Sequence, residues 1–305
     1  MHGPQCGEGD GLPWTNRATD FLRLEEEQRL NSQRVVRQYD GPPLDGRSTR
    51  VAAADVHWSE ERPVAALCLP GPQYVRQTYP SPPFNTAIPY RASFLAGREA
   101  PLLAPLIRRH RHQWDVLLVD GNGVLHPRRF GLACALGVAH QVRTVGVAKS
   151  YHYFEHDRWE AAVEASGAVP AEWMATLTTD AGERERWHGR LQYRTERDIV
   201  RVMHNDPQYA TVLPLVMQWH RRPDGGDSPR THRERAAPTA AATTFSEVLG
   251  AAVRTGRQAH HPVYVSIGHR VSLEVAVRIV QRTAQRYRLP EPLRLADQCA
   301  RGTLR

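Results

Sequence analysis

The chain has 305 residues, of which 41% are hydrophobic and 24% charged, a balance that excludes a disordered or fibrous protein. No stretch reaches the roughly 20 apolar residues that cross a bilayer, and the first residues, MHGPQCGEGDGLPW, lack an apolar signal core, so we expect neither membrane insertion nor secretion. The formal net charge of +8 comes mostly from arginine, which binds phosphate oxygens in pairs, and it favours nucleic acid as the partner, although many basic proteins bind none.

The four cysteines, Cys6, Cys68, Cys134 and Cys299, contain no C-x-x-C pair. This spacing is typical of free thiols in a reducing compartment rather than of disulfides or a zinc site. We therefore expect an intracellular protein, in the cytoplasm or the nucleus.

The first half of the chain begins with a predicted helix. Residues 15–38 carry the charges and spaced leucines and valines of an amphipathic helix, which the following glycines and prolines end. Residues 49–58, TRVAAADVHW, predict a strand that contains Asp55. The prolines of residues 63–88 predict a short, irregular hairpin with little pairing beyond Val75, because proline supplies no donor to a strand ladder.

Residues 93–112 predict helical segments that Pro101 and Pro105 interrupt, with Glu99 near the beginning of the longer one. The apolar run VLLV then predicts a buried strand that ends at Asp120. The predicted elements that follow are a helix over residues 130–141, a strand over 143–150, a strand over 261–270 and a helix capped by Ser272. Alternating strands and helices indicate an α/β layer architecture.

Residues 151–245 differ in character from the rest. Residues 158–177 and 195–222 have helical patterns, whereas residues 222–244 are of low complexity and predict disorder. We interpret residues 151–245 as a largely helical and partly disordered insertion, which is also the candidate for contact with a protein partner.

Three carboxylates, those of Asp55, Glu99 and Asp120, stand at element ends or inside apolar runs. A solvated strand end with an Asx turn would explain any one of them alone. Together they suit Mg²⁺ or Mn²⁺, which prefer oxygen ligands and leave positions for water and a substrate phosphate. Lys149 could then neutralise charge on the phosphoryl group, and His126 could donate to a phosphate oxygen or orient water.

Four blocks of the chain, in order, resemble the endonuclease V family of inosine-directed nucleases. They are VAAADVHW, PYRASFLAGREAPLL, the run LLVDGNGVLHPRRFGLACALGVAHQVRTVGVAKS, and VYVSIGHRVSLEVAVRIV followed by RLPEPLRLAD. Four separated blocks rarely match a family in the right order by chance. The sequence DGNGVLH is nearer to the eukaryotic branch of the family. The resemblance covers roughly residues 15–150 and 246–298.

The resemblance implies a ribonuclease H-like fold, with a central mixed β-sheet flanked by helices and a magnesium-dependent site, where Mn²⁺ is the expected substitute. It implies cleavage of inosine-containing RNA or DNA at the second phosphodiester bond 3′ to inosine, leaving 3′-hydroxyl and 5′-phosphate ends. It assigns metal binding to Asp55, Glu99 and Asp120, and assistance in catalysis to Lys149 and His126.

The same resemblance implies the residues that bind the substrate. Tyr90 falls on the family's aromatic wedge, which fills the space left by a flipped base, and His269 matches a histidine near the site. The loop that would line the base pocket with backbone groups consists of Gly121, Asn122 and Gly123.

Two departures from the family pattern stand near these residues. Arg91, Ala92 and Ser93 replace a turn of small residues that contains glycine. Gly97 replaces the usual aromatic residue before the Arg-Glu pair, which removes a side chain that would pack beside Glu99.

We therefore expect one catalytic domain over residues 15–150 and 246–298, a disordered N-terminus over 1–14 and a C-terminal tail over 299–305. We expect a monomer. Two other functions stay open: a catalytically weak protein that binds inosine-containing or structured RNA, and a general structure-specific nuclease.

Overall fold

The computed structural model of the chain describes residues 21–41, 49–58, 62–71, 73–79, 91–156, 187–221, 244–256 and 259–304. The strands in these ranges are β1 (Val51–Trp58), β2 (Pro63–Leu69), β3 (Gln73–Thr78), β4 (Val116–Asp120), β5 (Thr144–Ala148), β6 (Glu155–His156), β7 (Trp187–Leu191), β8 (Val212–Arg221), β9 (Thr244–Val253) and β10 (Val263–His269). The helices are α1 (Phe21–Ser32), α2 (Leu95–His110), α3 (Leu132–His140), α4 (Glu196–Asn205), α5 (Leu273–Thr283) and α6 (Glu291–Arg301). No helix in these ranges has the length and apolar character that a membrane span needs.

All ten strands belong to one mixed sheet, in the order β3-β2-β1-β4-β5-β10-β9-β8-β7-β6. β1, β4 and β5 run parallel at its centre, and the other neighbouring pairs are antiparallel. The continuous apolar sequences of β4 and β5 suit burial on both faces. Because the three central strands are parallel, their carboxyl ends meet at one edge of the sheet, where α/β proteins commonly bind ligands.

Helices cover both faces of this sheet. α2 and α3 pack on one face against Ala52, Ala54 and Val56 of β1. α5 and α6 pack on the other face, in the cluster that contains Ala53. The predicted α/β architecture with a central mixed sheet is confirmed, and the Ser272 hydroxyl accepts a hydrogen bond from the backbone N–H of Val275 at 3.3 Å, as expected of an N-cap.

The prediction that Pro101 and Pro105 interrupt the helix over residues 93–112 is wrong. α2 runs without a break through both prolines. An interior proline costs about 3 kcal/mol because it lacks an N–H and crowds the preceding turn. Nine residues of α2 are buried, and their packing against the sheet and α3 offsets that cost.

The hairpin of β2 and β3 is regular, contrary to the irregular pairing predicted for it. Pairs run from Leu69 with Gln73 through to Val64 with Thr78, which is beyond Val75. Pro63 is the one proline within the two strands themselves, where it is the first residue of β2, and a strand tolerates proline at that position.

The helical pattern predicted over residues 195–222 is correct only for its first part. α4 ends at Asn205, and Asp206 and Pro207 begin a short 3₁₀ turn, because the residue before a proline avoids helical geometry. β8 follows as a strand between β7 and β9. The predicted helix over residues 158–177 and the low-complexity residues 222–243 lie outside the described ranges.

The predicted helix over residues 15–38 is shorter in the structure. α1 ends at Ser32, where the side chains of Asn31 and Ser32 donate to carbonyls of the last turn and so compete with helical hydrogen bonds. Residues 15–20 lie outside the described ranges.

Candidate active site

Asp55 and Asp120 are neighbours because of the register between β1 and β4. Ala54 pairs with Val119 in this parallel pair, so the next residue of each strand is the aspartate. Side chains alternate between the faces of a strand, and Ala53 and Leu118, two residues earlier, both pack on the α6 face. The two carboxylates therefore point to the same side of the sheet.

Lys149 follows the end of β5 and reaches the same place. Its Nζ forms an ion pair with Asp120 Oδ2 and lies 3.8 Å from Asp297 Oδ1. Burial alone would lower the pKa of Lys149, but the contact with Asp120 outweighs it and holds the pKa above its usual value. Lys149 therefore keeps its positive charge at neutral pH.

Glu99 comes to the site from α2 rather than from the sheet. Its side chain is buried, and its Oε1 accepts a hydrogen bond from Trp58 Nε1 at 3.0 Å. The guanidinium of Arg98 lies 4.1 Å from the centre of the Trp58 ring. Trp58 is the last residue of β1 and packs beside Glu99. Glu99 therefore has an aromatic neighbour even though Gly97 has no side chain to pack against it.

Asp297 of α6 is a fourth acidic residue of the site, and it is absent from the predicted site residues. Its carboxyl group is within hydrogen-bond reach of Asp55, and its Oδ1 accepts from Arg301 Nε at 2.9 Å. Burial would raise the pKa of Asp297, but Arg301 and Lys149 outweigh it and lower that pKa. The block RLPEPLRLAD ends on this residue, so a signal was present in the sequence.

Burial and repulsion between neighbouring acids raise the pKa values of the central carboxyl groups. Burial, followed by the charge of Asp120, raises the pKa of Asp55 to about 9. Burial, which the Trp58 hydrogen bond partly opposes, raises the pKa of Glu99 to about 8. The single positive charge of Lys149 does not balance the negative charges of these acids. A bound cation would stabilise their ionised forms.

These residues line one cavity of about 390 Å³ at the carboxyl edge of the parallel strands. The predicted residues that line it are Asp55, Glu99, Asp120, Gly121, Asn122, His126 and Lys149, and Asp297 lines it together with its partner Arg301. The rest of the wall includes Ser93, Leu95 and Tyr151. The cavity therefore has an acidic end, and its remaining wall combines the glycine loop with larger side chains.

The glycine loop after β4 is tightly packed. Gly121 has a φ of +147°, in a region that side chains rarely adopt. Gly123 does not line the cavity, and a Cβ there would lie 1.9 Å from the carbonyl oxygen of Ile267. Its N–H donates to Ser266 Oγ at 2.9 Å. Only glycine allows this approach, so Gly123 supports the loop from behind.

His126 lines the cavity, but both of its ring nitrogens are engaged within the protein. Nδ1 accepts the backbone N–H of Arg128 at 3.1 Å, and Nε2 lies 2.9 Å from the carbonyl oxygen of Ser93. Burial and the charge of Arg128 hold the pKa of His126 well below its usual value. The ring is therefore neutral.

His269 does not line this cavity, and its predicted role in substrate binding stays a prediction. It pairs with Thr144 at the start of β5, whereas Lys149 follows the other end of that strand. Its ring is buried against α3, and its Nδ1 accepts the backbone N–H of Val36 at 3.2 Å. β10 runs antiparallel to β5, which places its last residue at the opposite edge of the sheet. Tyr90 lies outside the described ranges.

The comparisons with known proteins agree with this geometry. The model of the family described as Endonuclease V matches residues 31–183 and 226–298. Human Endonuclease V is 30% identical over 297 residues, which cover 93% of this chain and 83% of that protein. The chain belongs to the endonuclease V family. It is accordingly an endonuclease, an enzyme that hydrolyses phosphodiester bonds, and the predicted resemblance is confirmed.

Solved structures support the family at the level of the fold. A crystal structure of human Endonuclease V has a TM-score of 0.59 at 29% identity, covering 93% of this chain and 97% of that one. Ciona intestinalis Endonuclease V, solved with a 23mer DNA that contains an inosine, has a TM-score of 0.61 at 22% identity. The predicted fold, a central mixed sheet flanked by helices, is thus the α/β fold of the solved endonuclease V structures.

Proposed function

We propose that this endonuclease V is a metal-dependent nuclease that cleaves inosine-containing single-stranded RNA or DNA at the second phosphodiester bond 3′ to inosine, leaving 3′-hydroxyl and 5′-phosphate ends. The observation that carries the proposal is the meeting of Asp55, Glu99 and Asp120, with Lys149 between the acids, in one cavity. The inosine-containing DNA in the Ciona intestinalis structure supports the substrate class.

The donor set of the cavity fits a hard divalent cation. As the side chains stand, no three His, Cys, Asp or Glu residues in the described ranges are arranged to hold a metal ion alone. Mg²⁺ usually binds through one or two carboxylates, several waters and substrate phosphates, so it does not require such a cage. Asp55 and Asp120 would be the direct holders, with Glu99 and Asp297 beside them, and Mn²⁺ would substitute.

When bound, Mg²⁺ supplies Lewis acidity that activates water and stabilises the leaving 3′ oxygen. The protein's own groups do the rest. Lys149 fixes Asp120 through its ion pair and offsets negative charge as a substrate phosphate approaches the acids. Glu99, held by Trp58, is placed to accept a proton from water or to bind the cation through water.

The other wall of the cavity would hold the modified base. Hypoxanthine differs from adenine by a ring carbonyl and an N1 hydrogen, so backbone donors and acceptors can distinguish the two. Gly121 and Asn122 place such groups at the cavity. Tyr90 would act as the wedge that fills the space of the flipped base.

The test uses four labelled single strands, RNA and DNA, each with one inosine or with adenosine at the same position. With Mg²⁺ the protein should cut the inosine RNA, the inosine DNA or both, in each case at one bond, and leave the adenosine strands intact. Equal cutting of the adenosine strands would indicate a general structure-specific nuclease. Binding without cutting of any strand would indicate the catalytically weak binding protein.

The variant that belongs to this test is Asp120→Asn. It removes a charge that the cation needs but keeps the shape, so cleavage should fall at least about a hundredfold while the fold persists. Glu274→Gln is the matched control, because Glu274 is an exposed acid on α5 that pairs only with Arg278 in the described part of the chain. Turnover by Asp120→Asn at the rate of the control would contradict the metal assignment.

A further inference from the structure

The turn over residues 91–94, here called the rim turn, contains a strained residue. Ser93 has a φ of 70°, in the left-handed region that favours glycine. Ser93 lines the cavity, and α2 begins two residues later at Leu95. A strained residue persists only where its surroundings hold it. Side chains from two other parts of the chain hold Ser93.

The carbonyl oxygen of Ser93 accepts hydrogen bonds from three donors. They are His126 Nε2 at 2.9 Å, Arg128 Nη2 at 2.8 Å and Gln28 Nε2 at 3.2 Å. The Ser93 hydroxyl accepts from the same Arg128 nitrogen at 3.0 Å. A carbonyl has two lone pairs, so these donors saturate it and fix its direction.

Arg128 connects the donors with one another. Its Nε donates to Gln28 Oε1 at 2.6 Å, and its guanidinium lies 4.1 Å from the ring centre of Phe94. Its backbone N–H donates to Nδ1 of His126, so the ring proton of His126 is on Nε2 and points at Ser93. Neither ring nitrogen of His126 is left for a substrate phosphate.

Building on the proposed function, we propose that Arg128, Gln28 and His126 form a clamp on Ser93, here called the rim clamp, that positions the rim turn and thereby sets the preference for inosine. Arg128 is its central positioning residue, because it alone contacts the other three. His126 acts in it as a positioning residue rather than in proton transfer.

Two further features support the rim clamp. Gln28 lies on α1, and its hydrogen bonds to Ser93 and Arg128 join this helix to the cavity. The family model matches from residue 31 onwards, so Gln28 lies before the matched part of the chain. Phe94, at the N-cap position of α2, forms no side-chain cap. The rim clamp therefore also fixes where α2 begins, and Glu99 lies on the second turn of that helix.

The first test measures the rim turn directly, by hydrogen exchange of the full chain. Arg128→Lys keeps the charge but cannot donate in a fork to Ser93 and Gln28. Amides of residues 91–100 should then exchange at least about tenfold faster, the factor for one lost charged hydrogen bond, while α5 exchanges as before. Arg111→Lys, a change at an exposed arginine beyond α2, is the control. Unchanged exchange over residues 91–100 would overturn the clamp.

Two other variants keep this test decisive. Ser93→Gly keeps the carbonyl and its three donors and relieves the positive φ, so its exchange should stay near that of the wild type. Gln28→Met removes one donor and one acceptor at similar volume, and it replaces Arg128→Lys if that variant does not fold. Faster exchange in Ser93→Gly than in Arg128→Lys would count against the carbonyl as the anchor.

The second test measures the preference. In an Asp120→Asn background, the ratio of the Kd for an adenosine strand to the Kd for an inosine strand should fall about tenfold with Arg128→Lys and not with Arg111→Lys. General destabilisation would lower both affinities equally and leave the ratio unchanged. A ratio that Arg128→Lys does not alter overturns the role of the clamp in the preference.

Wild-type cleavage separates this inference from the proposed function. If the wild type cuts the inosine strand and Arg128→Lys changes neither exchange nor the Kd ratio, the rim clamp is wrong and the proposed function stands. If the wild type cuts neither strand but Arg128→Lys loosens residues 91–100, the proposed function is wrong and the clamp on Ser93 stands.

Discussion

At the scale of single residues, the site depends on acids that the protein holds at a cost. Asp55 and Glu99 are buried, and each lies close to another carboxylate. Such groups weaken a fold unless a positive charge or a hydrogen bond compensates them. Lys149 supplies one charge and Trp58 supplies one hydrogen bond. A divalent cation would supply the remainder.

Trp58→Phe should weaken the response of the enzyme to Mg²⁺. The variant keeps an aromatic ring under Arg98 but removes the N–H that orients Glu99, and a hydrogen bond to a charged group contributes about 1.5–3 kcal/mol. The Mg²⁺ concentration for half-maximal cleavage should therefore rise about tenfold or more.

Trp114→Phe is the control for that measurement. The Trp114 indole N–H is buried and has no hydrogen-bond partner in the described part of the chain, so its loss should not change the Mg²⁺ response. Identical Mg²⁺ titrations for Trp58→Phe and the wild type would contradict a role for Trp58 in placing Glu99.

Sequence patterns could predict some of these residues and not others. Asp55 and Asp120 were predictable because the first stands inside an apolar strand and the second ends one. Asp297 sits on an ordinary amphipathic helix, and only the packing of α6 on β1 and β2 brings it to Asp55. His269 ends an apolar strand just as Asp120 does, but its strand runs in the opposite direction, which a local pattern does not show.

At the scale of elements, tertiary packing determined the structure where local sequence patterns predicted the wrong helix or strand. The prolines of α2 are tolerated because most of that helix is buried. In β8 the buried residues Leu213, Leu215, Met217 and Trp219 alternate strictly, which is the period of a strand. This alternation is visible in the sequence. The helical prediction covered it because residues 195–222 were read as one helical pattern that begins with the true helix Glu196–Asn205.

The N-cap of α5 gives a prediction for an element away from the site. Ser272→Ala removes the hydroxyl that accepts the N–H of Val275, so the free energy of unfolding should fall by about 1 kcal/mol. Denaturant unfolding measures this change, and cleavage of the inosine strand should stay at the wild-type rate. Ser272→Asp should keep the cap and most of the stability. Equal losses for both variants would contradict the capping role.

At the scale of the whole molecule, one sheet carries both the edge with the candidate site and the strands β6 to β8 that follow Lys149. β7 and β8 extend the sheet beyond β9 rather than forming a separate unit. The parallel centre directs the carboxylates of Asp55 and Asp120 to one edge, whereas the chain as a whole is positively charged. The net charge of +8 would draw a phosphate backbone to the protein, while the cavity selects the site of cleavage.

Binding of the phosphate backbone by the net charge and binding of the base by the cavity should depend differently on salt. Affinity for the adenosine strand should fall steeply between about 50 and 200 mM salt, because contacts to phosphates release counterions. The ratio of adenosine to inosine Kd should change much less, since contacts to the base release none. Fluorescence anisotropy at several salt concentrations measures both. Salt-independent binding of the adenosine strand would contradict electrostatic binding of the backbone.

The central claim is that Asp55 and Asp120, with Glu99 and Asp297 beside them, share a divalent cation. A crystal of the wild-type protein soaked in Mn²⁺, measured for anomalous scattering, tests it most directly. We expect an anomalous peak in contact with the carboxylate oxygens of Asp55 and Asp120, and its loss in Asp120→Asn. Mn²⁺ bound only at other residues, or no peak between these two aspartates, would contradict it.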